Sequence, residues 1–396
     1  MDKDKDINIT IHRGTHQIGG CVTEICTDEA RIIIDMGSEL PGNESSTIPI
    51  EIDGVTSGKP KCDAIFFTHY HGDHIGMFDN VLSTVPLFMG EAAKEIFLAL
   101  QTRLKSPNID RIKNIQTFKI AKPIFINDIK VTPFSVDHSA YDSYMFLIEC
   151  GCKRILHTGD FRKHGFRGKA LIPMMEKHIG KVDVLISEGT MLSRKSENII
   201  TEHELSMKAR DYIKNNKYVF VLCSSTNIDR IAAVYSATPR GKYFICDAYQ
   251  REVLDVVQNF GSKHSKLYSF EKALVYGANL QEKMEDRGFC MLVRATDKFK
   301  KIIEDFDSNQ SIILYSLWKG YLNDNSSNIS SFLEGKEYEY LHTSGHATTD
   351  TIAEVIEAVS PKIGVIPIHS MAPKLISTLG GMCNTILLED GETFSF

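Results

Sequence analysis

The sequence predicts an α/β fold made of two regions, and two patterns support this prediction. Before about residue 190, short apolar runs bounded by turn residues indicate a β-rich region. Beyond that point, apolar runs alternate with segments of helical periodicity, which indicates a parallel sheet covered by helices. The 396 residues suffice for two compact units of roughly 100 to 200 residues each.

Strands dominate the first region. The run 63–68 is almost wholly apolar, as expected for a strand that is buried on both faces. Residues 90–103 are predicted to form a helix, because Ala92, Ile96 and Leu100 fall on one face. The other predicted strands are residues 7–12, 22–26, 30–35, 129–136, 143–150, 153–158 and 182–187.

The second region alternates between the two types of element. Helices are predicted at residues 202–215, 228–238 and 251–259, and strands at residues 218–223, 242–246, 311–315 and 338–341. A helix at 351–358 then leads to a strand at 363–368. In the last stretch, 385–396, the pair Asp390-Gly391 is a hairpin signal.

Composition excludes several classes of protein. The net charge of −6 argues against broad electrostatic capture of nucleic acid. Apolar runs are far shorter than the roughly 20 residues of a membrane-spanning helix, and the charged N-terminus does not resemble a secretory signal. The nine scattered cysteines lack zinc-knuckle spacing, so we expect reduced thiols in a cytoplasmic protein.

A dense cluster of potential metal ligands occupies residues 69 to 74, which read His-Tyr-His-Gly-Asp-His. A divalent metal needs imidazoles and carboxylates that converge from a short segment. In extended backbone His69 and His71 share a face and can reach one ion. Asp73 and His74 can point towards a second ion as the chain turns into a helix. This specific spacing predicts a two-metal hydrolase.

Three later residues can complete the two sets of ligands. His138, Asp160 and His369 each follow a predicted strand. A lone histidine or a Gly-Asp pair at such a position usually has an ordinary structural role. Beside the cluster at 69–74, however, all three become candidate ligands.

The ordered set of ligands resembles the metallo-β-lactamase superfamily. The resemblance implies two divalent ions that share a bridging hydroxide, with Zn²⁺ favoured and Mn²⁺ suited to the same ligands. It also implies that Asp35 supports the metal-binding loop. The implied ligands are His69, His71 and His138 for the first ion and Asp73, His74 and His369 for the second, with Asp160 bridging the two.

Further motif positions narrow the resemblance to the β-CASP nucleases, in particular the ribonuclease J and cleavage-factor group. Glu188, His346 and His369 match three motif positions of that subfamily. A histidine at the position of His369 goes with RNA processing there, so single-stranded RNA is the implied substrate. The implied architecture is a four-layer αβ/βα metallo-β-lactamase domain, residues 1–190 and 345–396, with an inserted parallel-sheet β-CASP domain, residues 191–344.

The resemblance also implies roles at the reacting bond. The implied catalytic residues are Asp73, His346, which would donate a proton to the leaving oxygen, and Glu188, which would orient a ligand histidine. A pocket for a terminal 5′-phosphate would imply 5′-to-3′ exonuclease action beside endonuclease action. For the serine-rich turn at 224–227, a helix cap is an equal alternative. The implied pocket residues are Ser225, Asn227, His342, Ser344 and Gly345.

A basic run follows Asp160 and allows two interpretations. Its side chains could guide an RNA backbone into the site, or they could lie on a solvated loop. The run comprises Arg162, Lys163, His164, Arg167 and Lys169.

Three other functions compete with that of a ribonuclease. A DNA nuclease on the same scaffold is disfavoured by His369, and a small-molecule hydrolase by the inserted region and His346. A non-catalytic RNA-binding subunit is disfavoured by the intact ligand positions. The sequence ends about 27 residues after His369, so we expect it to lack the C-terminal domain of ribonucleases J. A homo-oligomer is compatible with the sequence but not indicated by it.

Overall fold

The computed structural model describes residues 6–40, 50–194, 199–323, 327–379 and 384–396. The strands are β1 (Asn8–Arg13), β2 (Val22–Cys26), β3 (Arg31–Ile34), β4 (Ala64–Phe66), β5 (Leu87–Gly90), β6 (Gln116–Phe118), β7 (Ile124–Ile126), β8 (Ile129–Val136), β9 (Ser143–Cys150), β10 (Lys153–His157), β11 (Val184–Glu188), β12 (Tyr218–Leu222), β13 (Tyr243–Cys246), β14 (Ala273–Val275), β15 (Phe289–Val293), β16 (Ser311–Tyr315), β17 (Tyr338–Tyr340), β18 (Gly364–Ile368) and β19 (Glu392–Ser395).

Helices cover the sheets that these strands form. The α-helices of the described residues are α1 (Gly72–Ile75), α2 (Glu91–Arg103), α3 (Ile109–Lys113), α4 (Leu171–Met174), α5 (Glu202–Asn215), α6 (Ile228–Ala237), α7 (Ala248–Gly261), α8 (Gln281–Arg287), α9 (Asp297–Glu304), α10 (Ile329–Leu333) and α11 (Thr349–Val359).

Two sheets pack face to face and enclose one apolar core. The first has the strand order β19-β1-β2-β3-β4-β5-β6, and the second has the order β18-β11-β10-β9-β8-β7. Ile32 and Phe66 of the first sheet are buried in one cluster with Phe146 and Ile186 of the second. Such interdigitated inner faces are what hold a sheet sandwich together.

A helix lies on the outer face of each of these sheets. On the first sheet, Ile96 and Phe97 of α2 pack in one cluster with Ile65. On the second sheet, α11 buries Ile352 and Val355 in a cluster with Leu185 and Val365 of β11 and β18. The order of layers is therefore helix, sheet, sheet, helix, and the prediction of a four-layer αβ/βα fold is confirmed.

A third sheet is built only from parallel pairs, in the order β14-β13-β15-β12-β16-β17. Its inner strands β12 and β15 are buried on both faces, as is typical of parallel sheets, whereas the edge strand β17 is exposed. Val219 and Val221 pack with helices α5, α6 and α7 on one side. Phe220 and Met291 pack with α8, α9 and α10 on the other. The predicted parallel sheet between the two parts of the sandwich is confirmed.

The central strand of the third sheet was missed, and one expectation about a turn was wrong. The central strand β15 was not predicted, because a five-residue apolar run gives no periodicity that separates strand from helix. The segment around Asp390-Gly391 is not a hairpin. β19 pairs with β1, whereas Thr385 bridges Val365 of β18, so the two arms complete the edges of different sheets.

Two further expectations concern the cysteines and membranes. Every cysteine in the described ranges is a free thiol. In the same ranges, no helix combines the length and the apolar character that crossing a bilayer would require.

Candidate metal centre

Side chains that lie far apart in the sequence converge at the ends of the strands. β4 leads into His69, and α1 carries Asp73 and His74 directly after it. The other three predicted ligands follow strands of the second sheet: His138 follows β8, Asp160 follows β10 and His369 follows β18.

The three histidines implied for the first ion lie together. The potential ligand atoms of His69, His71 and His138 are all within 4.8 Å of one another. His138 Nε2 is 3.2 Å from His71 Nδ1. Nitrogen atoms held at such distances can share one cation between them.

Asp160 lies between this set and the second group of ligands. Its Oδ2 is 3.2 Å from His74 Nε2 and 3.9 Å from both His138 Nε2 and His369 Nε2. The same oxygen is 4.0 Å from His69 Nε2. This central carboxylate therefore has the position that a bridging ligand needs.

Asp73 and Cys21 complete the second side of the centre. Asp73 Oδ2 lies 3.2 Å from His369 Nε2. Cys21 forms a convergent group with His74 and His369, with ligand atoms within 4.8 Å of one another. Burial raises the pKa of the Cys21 thiol well above its ordinary value. Cys21 was not among the ligands predicted from the sequence.

Hydrogen bonds determine which ring nitrogen of three histidines faces the centre. In each case Nδ1 meets an acceptor oxygen and therefore carries the proton, which leaves the Nε2 lone pair for a cation. The pairs are His74 Nδ1 with Asp35 Oδ2 (2.7 Å), His138 Nδ1 with Gly345 O (2.6 Å) and His369 Nδ1 with Thr190 Oγ1 (2.7 Å).

Asp35 supports the loop that carries the first ligands. Its carboxylate accepts hydrogen bonds from Thr68 N at 2.7 Å and from Thr68 Oγ1 at 2.8 Å. Thr68 Oγ1 is in turn 3.0 Å from His69 Nδ1. Asp35 and His369 have φ values of 64° and 53°, a left-handed conformation that costs energy for residues other than glycine. At both residues this strained backbone aims a side chain at the centre.

The donor set fits divalent cations. His69 Nε2, His74 Nε2 and Asp160 Oδ1 are buried and have no hydrogen-bond partner among the described residues. Each such atom costs about 1–3 kcal/mol if nothing satisfies it. Imidazole nitrogen and carboxylate oxygen are donors that suit Zn²⁺ and Mn²⁺. Because these atoms converge, two cations would satisfy them together.

The electrostatics of the centre also favour added positive charge. Burial lowers the pKa of His69 and His138 well below the ordinary value and that of His71 to about 4, so these rings are neutral, as metal ligands must be. Burial would lower the pKa of His74 as well, but the carboxylates of Asp160 and Asp35 raise it well above its ordinary value. The two carboxylates therefore stabilise a proton on His74, and a bound cation would compete with that proton.

Glu188 contacts His346, and its carboxylate also lies within 4.8 Å of the ligand atoms of Asp160 and His369, so its orienting role towards a ligand histidine stays a prediction. Glu188 Oε2 is 3.2 Å from His346 Nδ1, and Oε1 accepts a hydrogen bond from Ala347 N at 3.2 Å. Burial would lower the pKa of His346, but the carboxylates of Glu188 and Asp160 raise it to about 9. His346 Nδ1 is 3.5 Å from Asp160 Oδ2, so this imidazole lies beside the predicted ligands.

The residues expected to bind a phosphate separate into two groups. His342, Ser344, Gly345 and Asn227 line a cleft of ≈ 720 Å³ together with His71, Asp73 and His346. Asn227 also caps α6, since its side chain accepts a hydrogen bond from Arg230 N. Ser225 does not line this cleft, and its hydroxyl accepts a hydrogen bond from Arg294 at 3.3 Å. For the turn at 224–227, the helix cap is therefore present.

Three members of the basic run after Asp160 are held by other groups of the protein. Arg162 is fully buried and is bound to three carboxylates, so neither a guiding role nor a solvated loop describes it. Its partners are Asp137 (2.7 Å), Glu202 (3.0 Å) and Asp229 (3.0 Å). Lys163 pairs with Glu354 of α11, and His164 Nε2 lies 2.7 Å from Ser344 O. Lys169 alone in this run is exposed.

Sequence reasoning missed two residues that hold the centre in place. Thr190 Oγ1 contacts both His369 Nδ1 and His346 Nδ1, at 2.7 Å and 3.2 Å. Tyr70 donates a hydrogen bond to Thr226 O at 3.0 Å, and so ties the metal-binding loop to the region of the third sheet. Its place between two predicted ligands was a signal, whereas no local pattern marks Thr190.

Comparison with known families gives one match that contains most of the centre. A family model described as "Beta-lactamase superfamily domain" matches residues 30–221. This range includes the predicted ligands from His69 to Asp160 and also Glu188. His346 and His369 lie beyond it.

Curated relatives extend the match along the chain. The chain is 23% identical over 410 residues to "Ribonuclease J" of Helicobacter pylori, and the alignment covers 93% of this chain and 57% of that protein. The chain thus spans little more than half of that relative's length. It is 27% identical over 182 residues to "Cleavage and polyadenylation specificity factor subunit 3" of Dictyostelium discoideum, which covers 40% of this chain and 22% of that protein.

A solved structure has the same fold. The crystal structure of a protein of unknown function from Enterococcus faecalis V583 superposes with a TM-score of 0.80 at 20% identity. The superposition covers 99% of this chain and 100% of the other. The arrangement of all three sheets is therefore shared with an experimentally determined structure.

Proposed function

The chain belongs to the metallo-β-lactamase superfamily, in its β-CASP nuclease subfamily, and is a metallohydrolase; from this we propose that it is a metal-dependent ribonuclease acting on single-stranded RNA in the cytoplasm. We divide it into a metallo-β-lactamase domain, residues 1–190 and 345–396, and a β-CASP domain, residues 191–344. The names of the relatives support RNA as the substrate.

One observation carries the proposal: His346 lies beside the predicted ligands, with its Nδ1 3.5 Å from Asp160 Oδ2, in a cleft large enough for a nucleotide. The carboxylates of Glu188 and Asp160 raise the pKa of this imidazole to about 9, which favours its protonated form. Hydrolysis of a phosphodiester releases an alkoxide, which requires a proton from such a group. Glu188 holds the ring in position, so we assign His346 as the general acid and Glu188 as its positioning residue.

Two divalent ions are the proposed cofactors. When bound, they would activate water for attack and neutralise the charge of the phosphate. Asp160 would contact both ions. The other proposed ligands are His69, His71 and His138 for one ion and Asp73, His74 and His369 for the other.

Residues at the cleft wall are proposed to receive a terminal phosphate. His342, Ser344 and Gly345 line the cleft beside His346. Gly345 is needed there, because a Cβ would lie 2.7 Å from Ser139 Oγ and 3.3 Å from His138 Cε1. A terminal 5′-phosphate held at this wall would favour 5′-to-3′ exonuclease action, with endonuclease action on longer strands. Asn227 faces the same cleft, whereas Ser225 contributes through the turn alone.

The test uses the full chain, stripped of metal and reloaded with Zn²⁺ or Mn²⁺. Its substrates are labelled single-stranded RNA with a 5′-monophosphate, 5′-triphosphate or 5′-hydroxyl end, and single-stranded DNA of the same sequence. We expect cleavage of RNA, fastest with the 5′-monophosphate, and release of mononucleotides. Cleavage of DNA alone would support the competing DNA nuclease, and the absence of cleavage by metal-loaded protein would refute both.

A further inference from the structure

Two cations of the basic run at 162–169 are already engaged by carboxylates of the protein. Arg162 is buried in its network of carboxylates, and Lys163 pairs with Glu354. The net charge of −6 adds no general attraction for a polyanion. A single-stranded substrate therefore needs a local site with its own cation and its own stacking surface.

Arg194 and Trp318 provide this combination at the wall of the cleft. Both line the same cavity as His71, Asp73 and His346. Arg194 Cζ lies 4.3 Å from the centroid of the Trp318 indole, in cation–π geometry. Trp318 is 36% exposed, so part of this large side chain remains within reach of a ligand.

The indole is held in place by close neighbours. A Cβ at Gly320 would lie 2.0 Å from Trp318 Cζ3, so only glycine lets the backbone approach the ring this closely. The ring of Tyr321 meets the indole edge-on, with centroids 5.7 Å apart at 87°. Tyr315 Oη donates a hydrogen bond to Trp318 O at 2.8 Å. A ring fixed before binding loses little conformational entropy when a base stacks.

Trp318 also lies at the junction of two cavities. It lines the metal-centre cleft and a second cavity of ≈ 770 Å³, and His342 and Ser344 are common to both. In the second cavity Lys319 Nζ lies 4.3 Å from the centroid of the Tyr340 ring, a second pair of cation and aromatic ring. A strand that leaves the metal centre can therefore pass Trp318 and remain among aromatic and cationic groups.

From this arrangement we infer that Arg194 and Trp318 form a nucleotide-binding subsite for single-stranded RNA. Arg194 pairs with a backbone phosphate, and its guanidinium plane and the indole provide the surface on which a base stacks. The inference rests on the proposed function for the identity of the ligand. The subsite adds a position outside the metal centre at which the RNA strand is bound.

The chain itself supplies the probe, because Trp318 is its only tryptophan. The full chain is kept free of metal with EDTA, so that no cleavage occurs, and is titrated with a 5′-phosphorylated oligoadenylate of ten nucleotides. We expect a saturable change in Trp318 emission. An abasic oligomer of the same length should bind about tenfold more weakly, because it lacks the bases that stack.

Variants separate the two parts of the subsite. Arg194→Ala should weaken binding about tenfold, and Arg194→Lys should weaken it less, because lysine keeps the charge but not the plane. For variants that lack the tryptophan, binding is measured with a labelled oligomer. Trp318→Phe should bind almost as tightly as wild type, and Trp318→Ala should bind about tenfold more weakly. Arg287→Ala removes another cation–π pair, with Tyr243 and outside the cleft, and should leave binding unchanged.

Several results would overturn the subsite. They are saturable binding without a change in emission, equal affinity of Arg194→Ala and wild type, equal affinity of the abasic oligomer, or no binding at all. Metal-loaded protein then distinguishes the two proposals. Binding at Trp318 without any cleavage would remove the proposed function and keep the subsite, whereas cleavage with unchanged emission would do the reverse.

Discussion

At the scale of single residues, the hydroxyl of Thr190 contacts two histidines of the centre. It donates to His369 O at 3.3 Å and lies 2.7 Å from His369 Nδ1 and 3.2 Å from His346 Nδ1. One buried hydroxyl thus aligns a proposed ligand and the proposed acid. Partners of this kind set the tautomer and the direction of a ligand histidine.

Thr190→Val is expected to weaken binding of the second ion by about 10- to 100-fold, because His369 Nδ1 loses its acceptor. A competition titration with a chelating dye measures the affinity. Thr190→Ser keeps the hydroxyl and should retain affinity close to that of wild type. Equal affinities of the valine variant and wild type would contradict the role given to Thr190.

His346→Ala is expected to reduce the rate of RNA cleavage by about 10²- to 10⁴-fold, because the leaving oxygen loses its proton donor. Single-turnover assays at saturating RNA measure this rate, and metal content is determined on the same samples. His203→Ala changes an exposed histidine of α5 and serves as the control. If His346→Ala loses metal in proportion to rate, the residue is a ligand and not the acid.

At the scale of elements, a buried ion network joins the end of β8 to helices α5 and α6. Arg162 and Arg230 share Glu202, with nitrogen-to-oxygen distances of 3.0 Å and 3.1 Å. Arg162 also contacts Asp137 and Asp229, and all these side chains are buried. The network therefore fixes the third sheet against the second at a point just behind the cleft.

Arg162→Met is expected to destabilise the protein by about 3–5 kcal/mol, because it leaves buried carboxylates without their cation. Denaturant unfolding measures the loss of free energy. Lys163→Met, one residue away, breaks a partly exposed pair with Glu354 and should cost only about 0–1 kcal/mol. If the two variants lose similar amounts of unfolding free energy, burial does not make the Arg162 network more important than the exposed pair.

The same network predicts a dependence of stability on pH. Burial would raise the pKa of Glu202, but Arg230 and Arg162 lower it to about 2, below its value of about 4.3 in the unfolded chain. Its contribution is thus complete above about pH 4.3 and is lost as pH falls towards 2. The unfolding free energy of wild type and of Glu202→Gln should converge over this interval, whereas parallel curves would argue against it.

Sequence patterns predicted elements well where periodicity or burial was strong, as in α5 and β8, whose bounds agree with the prediction. β15 was missed because its five apolar residues have no period. The ligands at 69–74 were accessible because they are adjacent in sequence. Other features depend on tertiary packing, which no local sequence pattern indicates. They are the contact of Glu188 with His346, the role of Thr190 and the burial of Arg162.

At the scale of the whole molecule, both ends of the chain close the sandwich. β19 pairs with β1, and β18 pairs with β11, so the residues after the third sheet add an edge strand to each facing sheet. His369 follows β18 directly and has its backbone N–H bound to Gly14 O at 2.7 Å. The proposed second ion is therefore linked to the folding of the entire sandwich.

Removal of metal is expected to lower the melting temperature. Ions at about one hundred times their Kd stabilise a folded protein by about 2.7 kcal/mol. Calorimetry of EDTA-treated protein, before and after addition of Zn²⁺ or Mn²⁺, measures the shift. Asp160→Asn should remove most of the metal-dependent shift, because Asp160 would contact both ions. A shift of full size in that variant would place the ions elsewhere.

The wide spacing of the ligands along the chain has a consequence for the protein during its own synthesis. A ribosome that adds roughly 5–20 residues per second needs about 15–60 s to proceed from His69 to His369. During this interval the nascent chain can present the first three histidines while the last ligand is missing, and for most of it His346 is missing as well. The proposed metal centre therefore stays incomplete until β18 has been made and docked.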